Sequence, residues 1–414
     1  MPQLPIEILE NVVDSSADYP QLLSSLSLTS RMLTARTRIH LFHTIHLGNP
    51  TGPHPYNRRI RFGKVIPTRC DTFLELCIQN CNLALYIRVL VLTESVWHPT
   101  IGMVWIDHSH SLVPVVRSLK NLKGFAFRTE GINVALSPPL DEALSLVLSR
   151  PDMEWINLSD LRFAHGSELF RVFMNAAPLR VLKLTDIVFH QNNQVIPDLP
   201  GYIPLRIDTL SVSFDIRRVT EEPFIRNTLR RACPLFDMHG IRCLQIQVYH
   251  AVEDMDRVYA WLSMTCSVED LDVHIVPGNK ALRWRNRRQW KFWHFQHFDS
   301  SKGLHMSRLK RIAFRMGDHA GVGKIAVAMQ FIAFAECLTR ITICFNSARG
   351  PVAFLDEEAW RQVDAALSRA PVFPLLESIE ICFGKNSYIV QGVEEKLRGM
   401  MPNVVDILRI TLER

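Results

Sequence analysis

The chain has no long apolar run. Its most continuous one, Ile325 to Cys337, contains Gln330 and falls short of the about 20 residues a helix needs to span a bilayer. There is no CxxC pair among its nine cysteines, an odd number, which argues against a disulfide framework and points to reduced thiols. Cys77 and Cys81 stand one helical turn apart without a His or Cys at ligand spacing, the pattern of free thiols rather than of a metal site. Excess charge is also scarce: 47 basic against 41 acidic residues leaves +6 over 414 residues, which permits an acidic partner without demanding nucleic acid. The opening Met1-Pro2-Gln3-Leu4-Pro5, with Glu7 and Glu10 behind it, has neither a basic nor an apolar leader region, so no signal peptide is expected. Leu412-Glu413-Arg414 carries no lipidation signal. These absences lead to the expectation of a cytoplasmic and/or nuclear protein with no membrane association.

Catalytic signatures are missing too. No GxSxG elbow, HExxH helix or kinase signature occurs. Gly317-Asp318-His319-Ala320-Gly321-Val322-Gly323-Lys324-Ile325 has the outline of a phosphate loop. However, Asp318 falls where the first glycine should stand, and Ile325 has no hydroxyl for magnesium. Asp107-His108-Ser109-His110 gathers two imidazoles and a carboxylate, short of the three or four converging ligands of a metal centre. The expectation is a non-enzymatic protein with no catalytic residues, no metal and no cofactor.

What is present is an ordinary folded composition, 47% hydrophobic and 21% charged, in a chain long enough for two or three domains or one elongated array. Ile6, Leu9, Val12 and Val13 share a helical face, with Pro5 where a proline can open a helix. Asp18 and Pro20 introduce a second helix carrying Leu22, Leu23 and Leu26. Thr29 or Ser30 caps a third, where Met32, Ala35, Ile39 and Phe42 recur at helical spacing. Three helices of this length bury little surface, so an apolar face left over on them reads as a docking surface. The same helices would also serve as the N-terminal cap of a repeat array.

Leu4-Pro5-Ile6-Glu7-Ile8-Leu9, Leu26-Ser27-Leu28-Thr29-Ser30-Arg31 and Arg38-Ile39-His40-Leu41-Phe42-His43-Thr44-Ile45 together resemble an F-box, in the texture found in mushroom-forming fungi. Ser30 and Leu33 stand where that family often carries Cys and Trp. The resemblance implies that the module binds a Skp-type adaptor protein, and through it a cullin ubiquitin ligase, with Leu4, Pro5, Ile8, Leu9 and Leu28 as the adaptor-binding residues.

Residues 1–47 are therefore read as an F-box-like helical module. Residues 48–70, with Gly48, Pro50, Gly52, Pro53, Pro55 and the basic Arg58-Arg59-Ile60-Arg61, are read as a linker. From residue 71 to 414 amphipathic helical stretches alternate with strand-like runs of one shape: apolar, two spacers, apolar, one spacer, apolar. The middle apolar residues are Leu90, Phe125, Ile156, Leu182, Leu210, Leu244, Leu271, Ile312, Ile341, Ile379 and Leu408, spaced 26 to 41 residues apart. Leu140, Leu144, Val147 and Leu148 form a helical stripe before Pro151. Leu169, Phe170 and Phe173 do so before Pro178, and Val363, Ala366 and Leu367 before Pro371. The shape resembles degenerate leucine-rich repeats without their usual asparagine. The expected fold class is α/β: a three-helix F-box-like module followed by a curved leucine-rich-repeat-like solenoid. A doubly wound α/β domain is the rival, though it would hardly need eleven strands of one shape.

If the spaced apolar residues face the core, their in-between neighbours face the other way. That assigns Asp270, Asp272, His274, Arg311, Arg315, Arg340, Glu380 and Arg409 to one concave, client-binding surface, unless these charges only neutralise one another. Lys280 to His297 interleaves cations with aromatic rings, among them Arg283, Trp284, Arg287, Trp290 and Trp293. Three readings fit it: an amphipathic helix, a client-binding loop, or a nucleic-acid contact that stacks on bases. The function expected is a substrate-recognition subunit of a Skp–cullin–F-box ubiquitin ligase that binds a client protein, with nucleic-acid binding through Lys280 to His297 as the alternative.

Overall fold

Alternating helix and strand signals become a parallel α/β architecture. The computed structural model describes residues 5–48, 69–95, 106, 109–130, 134–164, 166–189, 203–213, 235–249, 262–263, 265, 267–276, 304–316, 322–330, 332–345, 357–368, 372–383 and 392–412. The chain divides into two compact units, Met1–Leu205 with Glu222–Asn227, and Arg206–Glu221 with Thr228–Arg414.

The first unit opens with helices α1 (Ile6–Ser15), α2 (Pro20–Thr29) and α3 (Arg31–Leu41), α3 packing against both others. Pro5 precedes α1 and accepts the first amide hydrogen bonds of that helix, and Pro20 occupies the first turn of α2. Val13, Leu23 and Leu33 form a small core, one from each helix, with Leu9, Leu26 and Leu41 packed around it. Such a core is close to the minimum that can hold three helices together.

Strand β1 (Thr44–Gly48) follows directly. After it come helices α4 (Arg69–Gln79) and α5 (Leu83–Tyr86), then strand β2 (Val89–Ser95), helix α6 (Leu112–Ser118) and strands β3 (Gly124–Glu130) and β4 (Val134–Ala135). The unit continues with α7 (Pro138–Leu148), β5 (Trp155–Ser159), β6 (Leu161–Phe163), α8 (Gly166–Phe173), β7 (Leu179–Thr185) and β8 (Val188–Phe189). Strands β1, β2, β3, β5 and β7 pair in parallel in chain order, and β4, β6 and β8 make a second, short parallel sheet. The sharp turns from β5 to β6 and from β7 to β8 are each made by an aspartate at positive φ, Asp160 at 55° and Asp186 at 53°. Aspartate tolerates this left-handed region better than most residues. Consecutive helices stack on one another, and Arg150, at the end of α7, donates to the carbonyls of Val116 and Leu119 at the end of α6. Each carbonyl also accepts from a backbone amide of the helix end, Val116 from Leu119 and Leu119 from Leu122, so the guanidinium adds a second donor to each and ties α7 to the end of α6.

In the second unit β9 (Ile207–Ser213), β10 (Cys243–Tyr249) and β11 (Asp270–Val276) are followed by the short β12 (Leu304–His305) and by β13 (Arg311–Met316). Then come α9 (Val322–Gln330), β14 (Ile332–Phe334), β15 (Arg340–Phe345), α10 (Glu357–Leu367), β16 (Ser378–Phe383), α11 (Val393–Met400) and β17 (Leu408–Leu412). Strands β9, β10, β11, β13, β15, β16 and β17 again pair in parallel in chain order. Phe345 stacks on Phe383 with ring centroids 5.2 Å apart, and also meets the fully buried Trp360 of α10. The end of β15 thus packs against α10. Asp364, buried in α10, accepts from the amide and the side chain of Asn403 at 3.3 and 2.6 Å, seating the turn that leads into β17.

The register explains the repeated sequence shape. Ile45, Leu90, Phe125, Ile156 and Leu182 are direct partners from one strand to the next. In the second unit Leu210, Leu244, Leu271, Ile312, Ile341, Ile379 and Leu408 form the equivalent row. All the sequence-defined middle residues fall in these rows and all are buried. Ile45 adds one member the sequence reading left out: β1, met as the tail of the helical module, is hydrogen-bonded into the sheet. The stripes expected before Pro151, Pro178 and Pro371 are the buried faces of α7, α8 and α10. Among the described residues, no helix is long and apolar enough to cross a membrane.

Candidate functional site

Two surfaces, one in each unit, carry the residues the sequence singled out. On the N-terminal helices, Ile8 and Val12 lie one turn apart on α1 and are each about half exposed (48% and 49%). Leu28, at the end of α2, is 86% exposed, and Met32 on α3 is 67% exposed with Ala35 and Ile39 following on the same stripe. The stripe Met32, Ala35, Ile39 therefore faces outward, while Leu33 and Thr37 point into the module. Of the residues assigned to the adaptor, Pro5, Ile8 and Leu28 are exposed, Leu9 packs against the small core, and Leu4 lies outside the described residues. Asp14 holds the helices in place: it accepts from Arg36 Nε at 2.7 Å and pairs with His40 Nε2 at 2.8 Å. Hydrogen bonds from Arg36 first, then His40, keep its carboxyl well below the usual carboxylate range.

In the second unit the residues between the anchors form three rows on the opposite side of the sheet. The first runs Thr209, Cys243, Asp270, Arg311, Arg340, Ser378; the second Ser211, Gln245, Asp272, Ala313, Thr342, Glu380, Arg409. The third runs Ser213, Gln247, His274, Arg315, Cys344, Cys382, Thr411. All eight residues assigned to the client surface thus share one face of one sheet.

Their charges are not evenly neutralised. Asp270 takes a two-pronged contact from Arg311, at 2.5 and 2.6 Å, and Asp272 a similar one from Arg315, at 3.1 and 2.9 Å. The fork of arginine matches two carboxylate oxygens, which fixes both side chains in register. His274 beside them is pushed below its ordinary pKa by burial, which outweighs the opposing pull of Asp272. Glu380 accepts from Thr411 at 3.1 Å. Among the described residues, Arg340 and Arg409 form no ion pair, so the later strands present two free guanidinium groups against one carboxylate. At the rim Glu269 bridges Arg242 (3.2 Å) and Lys310 (2.8 Å), whose hydrogen bonds lower its pKa to about 2.

The corresponding face of the first unit differs. Val89, Val91 and Ala126, all in-between residues, are buried, and Trp155 packs over them. Strands β2 and β3 are thus apolar on both sides, as buried parallel strands often are. The unbroken run Val89-Leu90-Val91-Leu92 carries that signal, which an alternating reading passes over. No group of three or more metal-ligating side chains occurs among the described residues. Asp107, His108 and Gly317 to Gly321 lie outside the described residues, as do 49–68 and the stretch Lys280 to His297 with Arg283, Trp284, Arg287, Trp290 and Trp293. Comparison of the chain with protein-family models and with curated proteins finds no match in either.

Proposed function

We propose that the protein is a non-enzymatic substrate receptor whose N-terminal helices dock a Skp-type adaptor of a cullin ubiquitin ligase and whose strand array, read as a leucine-rich-repeat-like solenoid, binds a client. The observation that carries the reading is the outward apolar set Ile8, Val12, Leu28 and Met32 on a module too small to bury it. Leaving such side chains in water costs about 25 cal/mol per Å² of apolar area, a cost that a partner covering them removes. The order of elements supports the same division of labour, since the strands of the second unit, behind the helices in the chain, offer a polar face of aligned charged residues.

Copurification of the full chain with a Skp-type adaptor tests this. Stable binding at micromolar concentration is expected, with Ile8→Asp plus Leu28→Asp weakening it at least tenfold. Both side chains are exposed, so the fold should survive the change, and an unchanged circular dichroism melt checks that. Leu9 is a poorer probe because its loss would also disturb the core. Absence of adaptor binding by the folded wild type would refute the proposal.

A further inference from the structure

Cys344 on β15 and Cys382 on β16 are direct register partners on adjacent parallel strands, on the face opposite the apolar anchors. Both are free and half-buried, and the register sets them side by side. No other two described cysteines are paired in register. Cys70 and Cys77 are buried on α4, Cys81 is exposed beyond its end, Cys243 faces Thr209 and Asp270, and Cys337 precedes β15. We propose that Cys344 and Cys382 form a two-thiol site for a trivalent organoarsenical or a similarly thiophilic oxide, bridged across β15 and β16.

The geometry favours a bridged adduct over a direct disulfide. Parallel strands lie about 4.7–4.9 Å apart, whereas a disulfide asks for β-carbons about 3.5–4.5 Å apart and a dihedral near ±90°. An atom placed between the sulfurs relaxes both demands. The chemistry balances without an oxidant: an arsine oxide and two thiols give two As–S bonds, and the oxygen departs as water with the two thiol protons. Arsenic and sulfur keep their oxidation states. Burial, then the neighbouring Cys344 and Glu380, push the Cys382 thiol up to about 12, so it rests protonated and must give its proton to the departing oxygen as the As–S bond forms. Arg315 is the next register partner of Cys344, so an adduct would stand beside the Asp272–Arg315 pair.

The test is titration of the full chain with phenylarsine oxide, read by intact mass and by alkylation mapping of the thiols. The expected result is one phenylarsenic group per chain that survives excess 2-mercaptoethanol, is removed by dithiothreitol, and shields Cys344 and Cys382 from alkylation. Cys344→Ser or Cys382→Ser should each weaken retention about 100-fold or more, because the second sulfur then no longer acts at high effective concentration. Cys77→Ser with Cys81→Ser should leave it unchanged. Shielding of other cysteines in the wild type, or wild-type retention by either single variant, would overturn the assignment. The wild-type mapping decides the matter even if a variant folds poorly.

Discussion

Gly124 has the indole of Trp155 lying directly over it, and a β-carbon added at Gly124 would run into that ring. The two residues are register partners on β3 and β5, so the indole must turn away or the strands must shift to admit a β-carbon. Gly124→Ala should destabilise the protein by about 1–3 kcal/mol, the usual cost of overpacking. In a Trp155→Ala background the same change should cost much less, which a double-mutant cycle in urea would measure. Neither residue stood out in the sequence. A glycine opening a strand-like run is silent about what lies above it until the register of the neighbouring strand is known. Leu33 is the reverse case: it stands off the pattern of the motif the sequence resembles, yet it is a core residue of the three helices, because a leucine fills the space beside Val13 and Leu23.

The strand elements were legible because parallel pairing preserves their spacing. Each apolar anchor meets the anchor of the next strand, so one shape repeats wherever one helix-and-strand unit repeats. Ile45 escaped because Phe42-x-x-Ile45-x-Leu47 adjoins α3 and reads as its tail. The corners at Asp160 and Asp186 escaped because an aspartate at positive φ has no signature apart from its place after a strand. Their shared context, Leu158-Ser159-Asp160-Leu161 and Leu184-Thr185-Asp186-Ile187, could have revealed them. At the rim of the second unit Glu269 ties the starts of β10, β11 and β13 together through Arg242 and Lys310. Its folded pKa of about 2 lies below the ordinary 4.5, so its stabilising effect is complete above about pH 5 and disappears as pH falls through 2. Glu269→Gln should therefore lower the melting temperature at pH 7, and the gap from wild type should close on acidification. A gap that persists unchanged to pH 2 would mean that packing, not charge, is responsible.

At the scale of the whole molecule the two surfaces are separable by mutation. Arg340→Glu with Arg409→Glu reverses the two unpaired cations of the strand face while touching no buried residue. If an acidic client segment binds there, client capture should fall at least tenfold and become less salt-sensitive, with adaptor binding intact. Ile8→Asp with Leu28→Asp should give the opposite pattern. Parallel capture assays on the two double variants would show whether the functions divide this way. That the eight residues share one face of the sheet could be read from the sequence, but the state of their charges could not. Asp270 and Asp272 are consumed by Arg311 and Arg315, and only the strand register tells those arginines from Arg340 and Arg409. The unbroken chain order of the strands has one more consequence. Within either unit, each new long strand adds beside the one made before it, so every long strand after the first finds a partner already synthesised as it emerges from the ribosome.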